Sequence, residues 1–337
     1  MERLKEPQPS ILFMHDFHMG PGRGRGVITR REWLAWTVST VIAGSVKGQE
    51  GPTFSTDVKV VNILATARAK DGRIVRDLGK EDFKVFEDGR LQAIRYFSRE
   101  SDLALTVGLL VDTSLSQTRV LEDERGASYR FLDQVLRQGK DSAMVVQFDQ
   151  AVIIRQELTS SHKDLQDTLG LLDSPNAQQA ANGSGTLLYD AVRTAAIRVM
   201  RKQQGRKAFI VLTDGMDEGS TTSLTDAIEG AQRANTIVYC ILFSDASYYG
   251  GRMSIGLGGK GVLERLSKET GGRFFEVSSK QTLEQIFGAI EEDLRSEYSI
   301  GFVSDRPVTA SGFRKIRLVA NQKNLVVQAT DRYYAST

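Results

Sequence analysis

Two apolar runs, Leu109-Leu110-Val111 and Phe209-Ile210-Val211-Leu212, each empty into a polar loop through an aspartate, Asp112 and Asp214. Short runs of this kind, apolar on both faces, are the signature of strands buried in a parallel sheet between layers of helix. In such a sheet both carboxylates emerge at the same carboxyl edge, where open α/β sheets bind their ligands. The chain between them must therefore cross over and return, and its pattern supplies the means.

Strand and helix patterns alternate through the middle of the chain. The sequence predicts strands over 104–111, 207–213, 237–243 and 273–277, and a hairpin of 142–148 with 152–158 around Asp149-Gln150 that adds one antiparallel edge strand. Helices are expected at 129–136, where Phe131, Leu132, Val135 and Leu136 share a face, and at 162–172, 187–201, 224–235, 261–270 and 282–295. The fold class is α/β, a doubly wound, mostly parallel sheet. Strand patterns also precede it, at 58–67 and in a hairpin at Asp88-Gly89, and follow it, at 298–303, 313–319 and 325–329. Neither outer group easily buries a face alone, so the two ends are expected to pair into one small β-sandwich. The divisions are then 1–50 as a leader, 51–100 and 296–337 as the two parts of the sandwich, and 101–295 as the central domain.

After Asp112 come Ser114 and Ser116, alternating hydroxyls in the loop that leaves the strand. Thr186 follows the polar loop 178–185 just before a helix, so its hydroxyl can stand beside the two acids. Asp112, Ser114, Ser116, Thr186 and Asp214 thus make an all-oxygen set, the donors a hard divalent cation prefers. Two ligand charges leave such an ion electrophilic enough to take a further carboxylate. Asp, Ser and Thr also cap helices and close turns at strand ends, so D-x-S-x-S alone would be capping more often than metal binding. The joint pattern, with Thr-Leu-Leu-Tyr-Asp after Gly185 and Leu-Thr-Asp-Gly at a strand end, is far more specific.

That pattern resembles the von Willebrand factor type A (VWA) domain, whose metal-ion-dependent adhesion site reads D-x-S-x-S, then a distant Thr, then a distant Asp. All five positions match in order, the resemblance spans about residues 103–290, and the whole chain looks like exported bacterial proteins carrying a VWA-related domain. The resemblance implies that Ser114, Ser116 and Thr186 touch the metal, with Asp112 and Asp214 acting directly or through water. It implies Mg²⁺ (or Mn²⁺ or Ca²⁺) as cofactor and, as partner, a protein presenting Asp or Glu. Leu115 and Gln117 depart from the small residue and the Met usual in the family, which bears on ligand preference.

Thr29-Arg30-Arg31-Glu32-Trp33 precedes a modestly apolar stretch from Trp36 to Val46 and reads as a twin-arginine export signal, placing the protein in the periplasm or cell envelope. That stretch is short and polar for a membrane span, so any membrane attachment would run through an uncleaved leader. Met14 or Met19 would shorten the leader, and His15, Asp16 and His18 fall in a segment expected to be removed or unstructured. The net charge of +2 arises wholly in the first fifty residues. No basic stripe interleaved with aromatics speaks for nucleic acid.

The run Gly256-Leu257-Gly258-Gly259-Lys260-Gly261 spells G-x-G-x-x-G, but far from its strand and without the acid a dinucleotide site needs; it reads as a loop, with no nucleotide expected. The loop 244–260 would carry Tyr248, Tyr249, Arg252 and Met253 as a partner-reading rim. Cys240, the single cysteine, sits in a buried-strand pattern and reads as core. The expectation is a binding module rather than an enzyme. A metal-assisted hydrolase using the same site, with Asp217 or Glu218 as the only nearby bases, and a structural domain assembling through its β-sandwich without metal are the alternatives.

Overall fold

The computed structural model describes residues 60–99, 103–174, 185–243, 253–306, 309 and 311–335, all within the unit Thr56–Thr337. The leader and its arginine pair lie outside the described residues, as do most of the loop before Thr186 and Tyr248, Tyr249 and Arg252 of the expected rim.

The central sheet has the order β10-β9-β8-β5-β6-β7. Its strands are β5 (Leu105–Asp112), β6 (Ser142–Phe148), β7 (Val152–Thr159), β8 (Arg206–Thr213), β9 (Ile237–Leu242) and β10 (Phe274–Glu276). All neighbours run parallel except β7, which returns antiparallel on β6 at the edge. Every residue of β5 and β8 is buried, as the continuous apolar runs demand.

Among the described residues six helices cover the sheet: α1 (Leu121–Val135), α2 (His162–Gly170), α3 (Leu188–Arg198), α4 (Leu224–Arg233), α5 (Met253–Thr270) and α6 (Leu283–Leu294). The side chains of β5 divide by the period of two: Val107, Leu109 and Val111 pack with α1, α2 and α6, while Leu110 faces α3, α4 and α5. Gly108 permits close packing, since a Cβ there would stand 2.6 Å from the Phe209 ring and 2.8 Å from Met144.

The flanking segments form two four-stranded antiparallel sheets. One has the order β13-β1-β11-β4, from β1 (Val60–Ala69), β4 (Ile94–Ser98), β11 (Tyr298–Val303) and β13 (Leu325–Ala329); the other runs β14-β12-β2-β3, from β2 (Phe83–Glu87), β3 (Arg90–Gln92), β12 (Gly312–Ala320) and β14 (Arg332–Ala335). Ile63, Ala65, Phe83, Val85, Ile300, Phe302, Ile316 and Leu318 bury one another between them, the sandwich expected from the sequence. Asp88 and Gly89 both take positive φ, +46° and +84°, the backbone of a tight hairpin turn with matching twist.

Four elements depart from the sequence reading, among them β14, for which it predicts no strand. Helix α1 begins at Leu121 rather than 129, because Glu122-Asp123-Glu124-Arg125-Gly126 hides the helical period behind charge and a glycine. Helix α5 begins at Met253, so residues 256–261, read as a loop from their glycines, are helical, and Met253 belongs to the helix rather than to a rim loop. The run 91–94 splits after Gln92: β3 pairs with β2 in one sheet and β4 with β11 in the other.

Candidate metal centre

Strands β5 and β8 are parallel neighbours in the register Val111↔Leu212, so Asp112 and Asp214 leave the sheet side by side at its carboxyl edge. Both are buried, at 0% and 3% exposure. Asp112 Oδ1 accepts the Ser114 backbone N–H at 2.9 Å and Oδ2 accepts the Thr213 hydroxyl at 2.6 Å. Ser116 donates its hydroxyl to Asp214 Oδ2 at 2.7 Å, and the Ser114 and Ser116 hydroxyl oxygens stand 3.1 Å apart. Asp214 Oδ1 accepts the Met216 N–H at 3.0 Å. Four of the five sequence-selected residues are thereby drawn into one hydrogen-bonded group.

Thr186 is tied by its backbone to the loop that follows Asp214. Its N–H and C=O pair reciprocally with Glu218, both bonds 2.9 Å, which fastens the start of α3 there. Asp217 in that loop accepts from the Tyr189 N–H and from Ser220, so the α3 entry and the Asp214 loop brace each other. Thr186 is itself buried at 8% exposure.

Burial, with the adjacent charge of Asp214, pushes the Asp112 carboxyl up to about 7. Two acids held this close and this dry need a proton or a cation between them. The donors around them are carboxylates and hydroxyls, hard oxygens suited to Mg²⁺ and foreign to a soft-metal site. Two further buried polar groups lack partners among the described residues: Gln117 at Oε1, and Glu124 at both carboxyl oxygens. The residues fit a hydrated divalent cation.

Within 256–261, Gly259 has a packing role here. A Cβ on Gly259 would lie 2.2 Å from the Asp214 carbonyl oxygen, and one on Gly215, whose φ is +80°, would lie 2.5 Å from the Gly259 carbonyl oxygen. Helix α5 thus abuts the Asp214–Gly215 backbone directly. Neither Gly259 nor Glu124 is among the residues that the sequence singles out. A signal for Glu124 exists, since it is an acid in line with Leu121, Ser128 and Phe131 on the inner stripe of α1, but the charged first turns conceal where that helix starts.

Residues 107–289 match the family model of the von Willebrand factor type A domain, which is more than half of the chain. The chain belongs to the VWA domain family. Among solved structures its VWA region is similar to the conserved hypothetical protein BatB of Bacteroides thetaiotaomicron, at 16% identity and TM-score 0.43, over 57% of this chain and 97% of that one. It is also similar to the vWF domain of the type V pili tip protein Mfa5 of Porphyromonas gingivalis, at 11% identity and TM-score 0.44, over 56% and 94%. A third is proximal thread matrix protein 1 from the mussel byssus with a zinc-occupied MIDAS motif, at 13% identity and TM-score 0.45, over 63% of this chain and 50% of that one. These are likenesses of fold. No curated protein sequence matches the chain. Among the described residues no helix is long and apolar enough to cross a membrane.

Proposed function

We propose that the VWA domain is a metal-dependent protein-binding module, with Asp112, Ser114, Ser116, Thr186 and Asp214 holding one Mg²⁺. The observation that carries this reading is the pair of buried aspartates at the ends of adjacent parallel strands, linked through Ser114 and Ser116. When bound, the ion offers a position to an anionic oxygen, and the acceptor best matched to it is the carboxylate of an Asp or Glu on a partner protein. The chain's own groups do the rest. Asp112 is fixed by the Ser114 N–H and Thr213, Asp214 by Ser116 and Met216, and the Thr186–Glu218 pairing closes the rim.

The hydrolase alternative needs a free base, and Asp217 is engaged by the Tyr189 N–H and Ser220, which leaves the exposed Glu218, held by its backbone to Thr186, as the candidate for that role. We assign the leader to twin-arginine export on Arg30 and Arg31, which places the module in the periplasm or cell envelope. The test of function is capture of partners from the cell's own envelope extract by the mature protein. A protein retained with Mg²⁺ or Mn²⁺, lost with EDTA, and lost again when one of its own Asp or Glu residues is changed supports the reading. Capture indifferent to EDTA overturns it in favour of an interface on the β-sandwich.

A further inference from the structure

Glu124 is 1% exposed on the face of α1 that packs against the sheet, and neither of its carboxyl oxygens has a hydrogen-bond partner among the described residues. Buried carboxylates are otherwise paired or hydrogen-bonded, because an uncompensated charge in the interior is costly. Here the surroundings make matters worse. Burial first, and then the negative charges of Asp112, Asp214 and Asp123, raise its proton affinity well above the ordinary glutamate range.

Glu124 has unsatisfied company. Gln117, wholly buried in the turn that leads from the D-x-S-x-S loop toward α1, leaves its side-chain oxygen unpartnered, and so does Ser128, one helical turn beyond Glu124. Three of these four orphaned oxygens can only accept once Glu124 is ionised. A row of buried acceptors beside two acids calls for donors, and the strongest small donor at such a place is water polarised by a cation.

We propose that Glu124 is a sixth residue of the cation site, accepting a hydrogen bond from a water held on the ion. It is a positioning residue and not a ligand: among the described residues, no three acidic, histidine or cysteine side chains converge as a direct metal cage. The inference rests on the metal reading given above and adds selectivity to it. An acceptor that works through the ion's water favours an ion that keeps its water, so Glu124 discriminates for Mg²⁺ against the more readily dehydrated Ca²⁺.

The experiment is calorimetric titration of the full chain with Mg²⁺ and with Ca²⁺, alongside thermal melts in chelator, for wild type, Glu124→Gln, Glu124→Leu and Asp112→Asn. Both Glu124 variants are expected to melt higher than wild type without metal, because a buried acid that is costly to ionise is gone. They should also bind Mg²⁺ at least ten-fold more weakly, with a smaller loss for Ca²⁺. A purely structural glutamate would not lower cation affinity while raising apo stability. Mg²⁺ affinity unchanged in Glu124→Gln, in a protein whose Asp112→Asn variant has lost binding, overturns the role of Glu124 and leaves the metal reading standing. A wild type that binds neither ion overturns both.

Discussion

Gly259 decides how closely α5 approaches the metal loop, and its effect can be isolated within one helix. A methyl at Gly259 meets backbone, the Asp214 carbonyl oxygen at 2.2 Å, which no rotamer change relieves. Gly261, two residues on and exposed in the same helix, has nothing within 4 Å of the equivalent position. Gly259→Ala should therefore cost about 1–3 kcal/mol in urea melts, as overpacking does, and weaken Mg²⁺ binding by shifting Asp214. Gly261→Ala should be neutral or stabilise by about 0.5–1 kcal/mol through helix propensity. Equal behaviour of the two variants would show that the glycine run is not a packing device. At this scale Asp112, Ser114, Ser116 and Asp214 are legible in the sequence, because their spacing is set by strand ends and one loop. Gly259 and Glu124 are not, because their roles depend on which side of a helix meets the sheet. The direct test of the five-residue site belongs here too: Asp112→Ala or Asp214→Ala should abolish Mg²⁺ and Mn²⁺ binding in calorimetry while leaving the far-ultraviolet circular dichroism intact. Unchanged affinity in both would remove the assignment.

Among elements, the strands can be read nearly to the residue because fully buried parallel strands are written as unbroken apolar runs. Helix starts are less legible. The first two turns of α1 are charged, which masks the apolar period although most of their residues are good helix formers, and those of α5 are glycine-rich, where local propensity is poor. The joint between α6 and β11 carries a further buried acid whose effect is measurable. Glu297, 4% exposed with Oε2 unpartnered, is pushed up to about 8 by burial, against the opposing charge of Arg206 and with that of Asp293 adding to the rise. An acid raised in the folded state leaves stability intact below its unfolded value and removes it as the pH climbs toward the folded one. Between roughly pH 4.5 and 8 the protein should thus lose stability on account of this group. At about 1.4 kcal/mol for each pH unit separating the folded value from the unfolded one, the loss is on the order of a few kcal/mol. Glu297→Gln should flatten that slope in chelator-treated protein and melt higher than wild type at about pH 9, above the folded value. An unaltered pH profile would mean that Arg206 already neutralises the group.

For the whole molecule, the arrangement separates what holds the two layers together from the proposed cation site. Asp293, wholly buried near the end of α6, pairs with Arg68 of β1 through one carboxyl oxygen and with Arg273, just before β10, through the other at 3.0 Å. Arg206 at the start of β8 donates to the Leu294 carbonyl, and Gln328 of β13 donates to the Gly271 carbonyl at 3.1 Å. These contacts gather at the amino ends of the parallel strands, whereas Asp112 and Asp214 leave from the carboxyl ends. A sequence scan foresees that the terminal strands pair with each other, since neither group can bury a face alone, but it cannot foresee this junction, which joins residues more than two hundred positions apart. Removing Asp293 leaves two guanidinium groups without their shared acid, the case in which breaking a buried pair costs about 3–5 kcal/mol. Asp293→Asn keeps the shape and removes the charge, so urea denaturation should show a loss of that order, while Mg²⁺ affinity measured on the folded protein stays at the wild-type value because the cation site lies at the other edge of the sheet. A variant that loses cation affinity along with stability would mean that the β-sandwich and the metal edge are coupled through the sheet, and the partner-binding surface would then have to be sought across both.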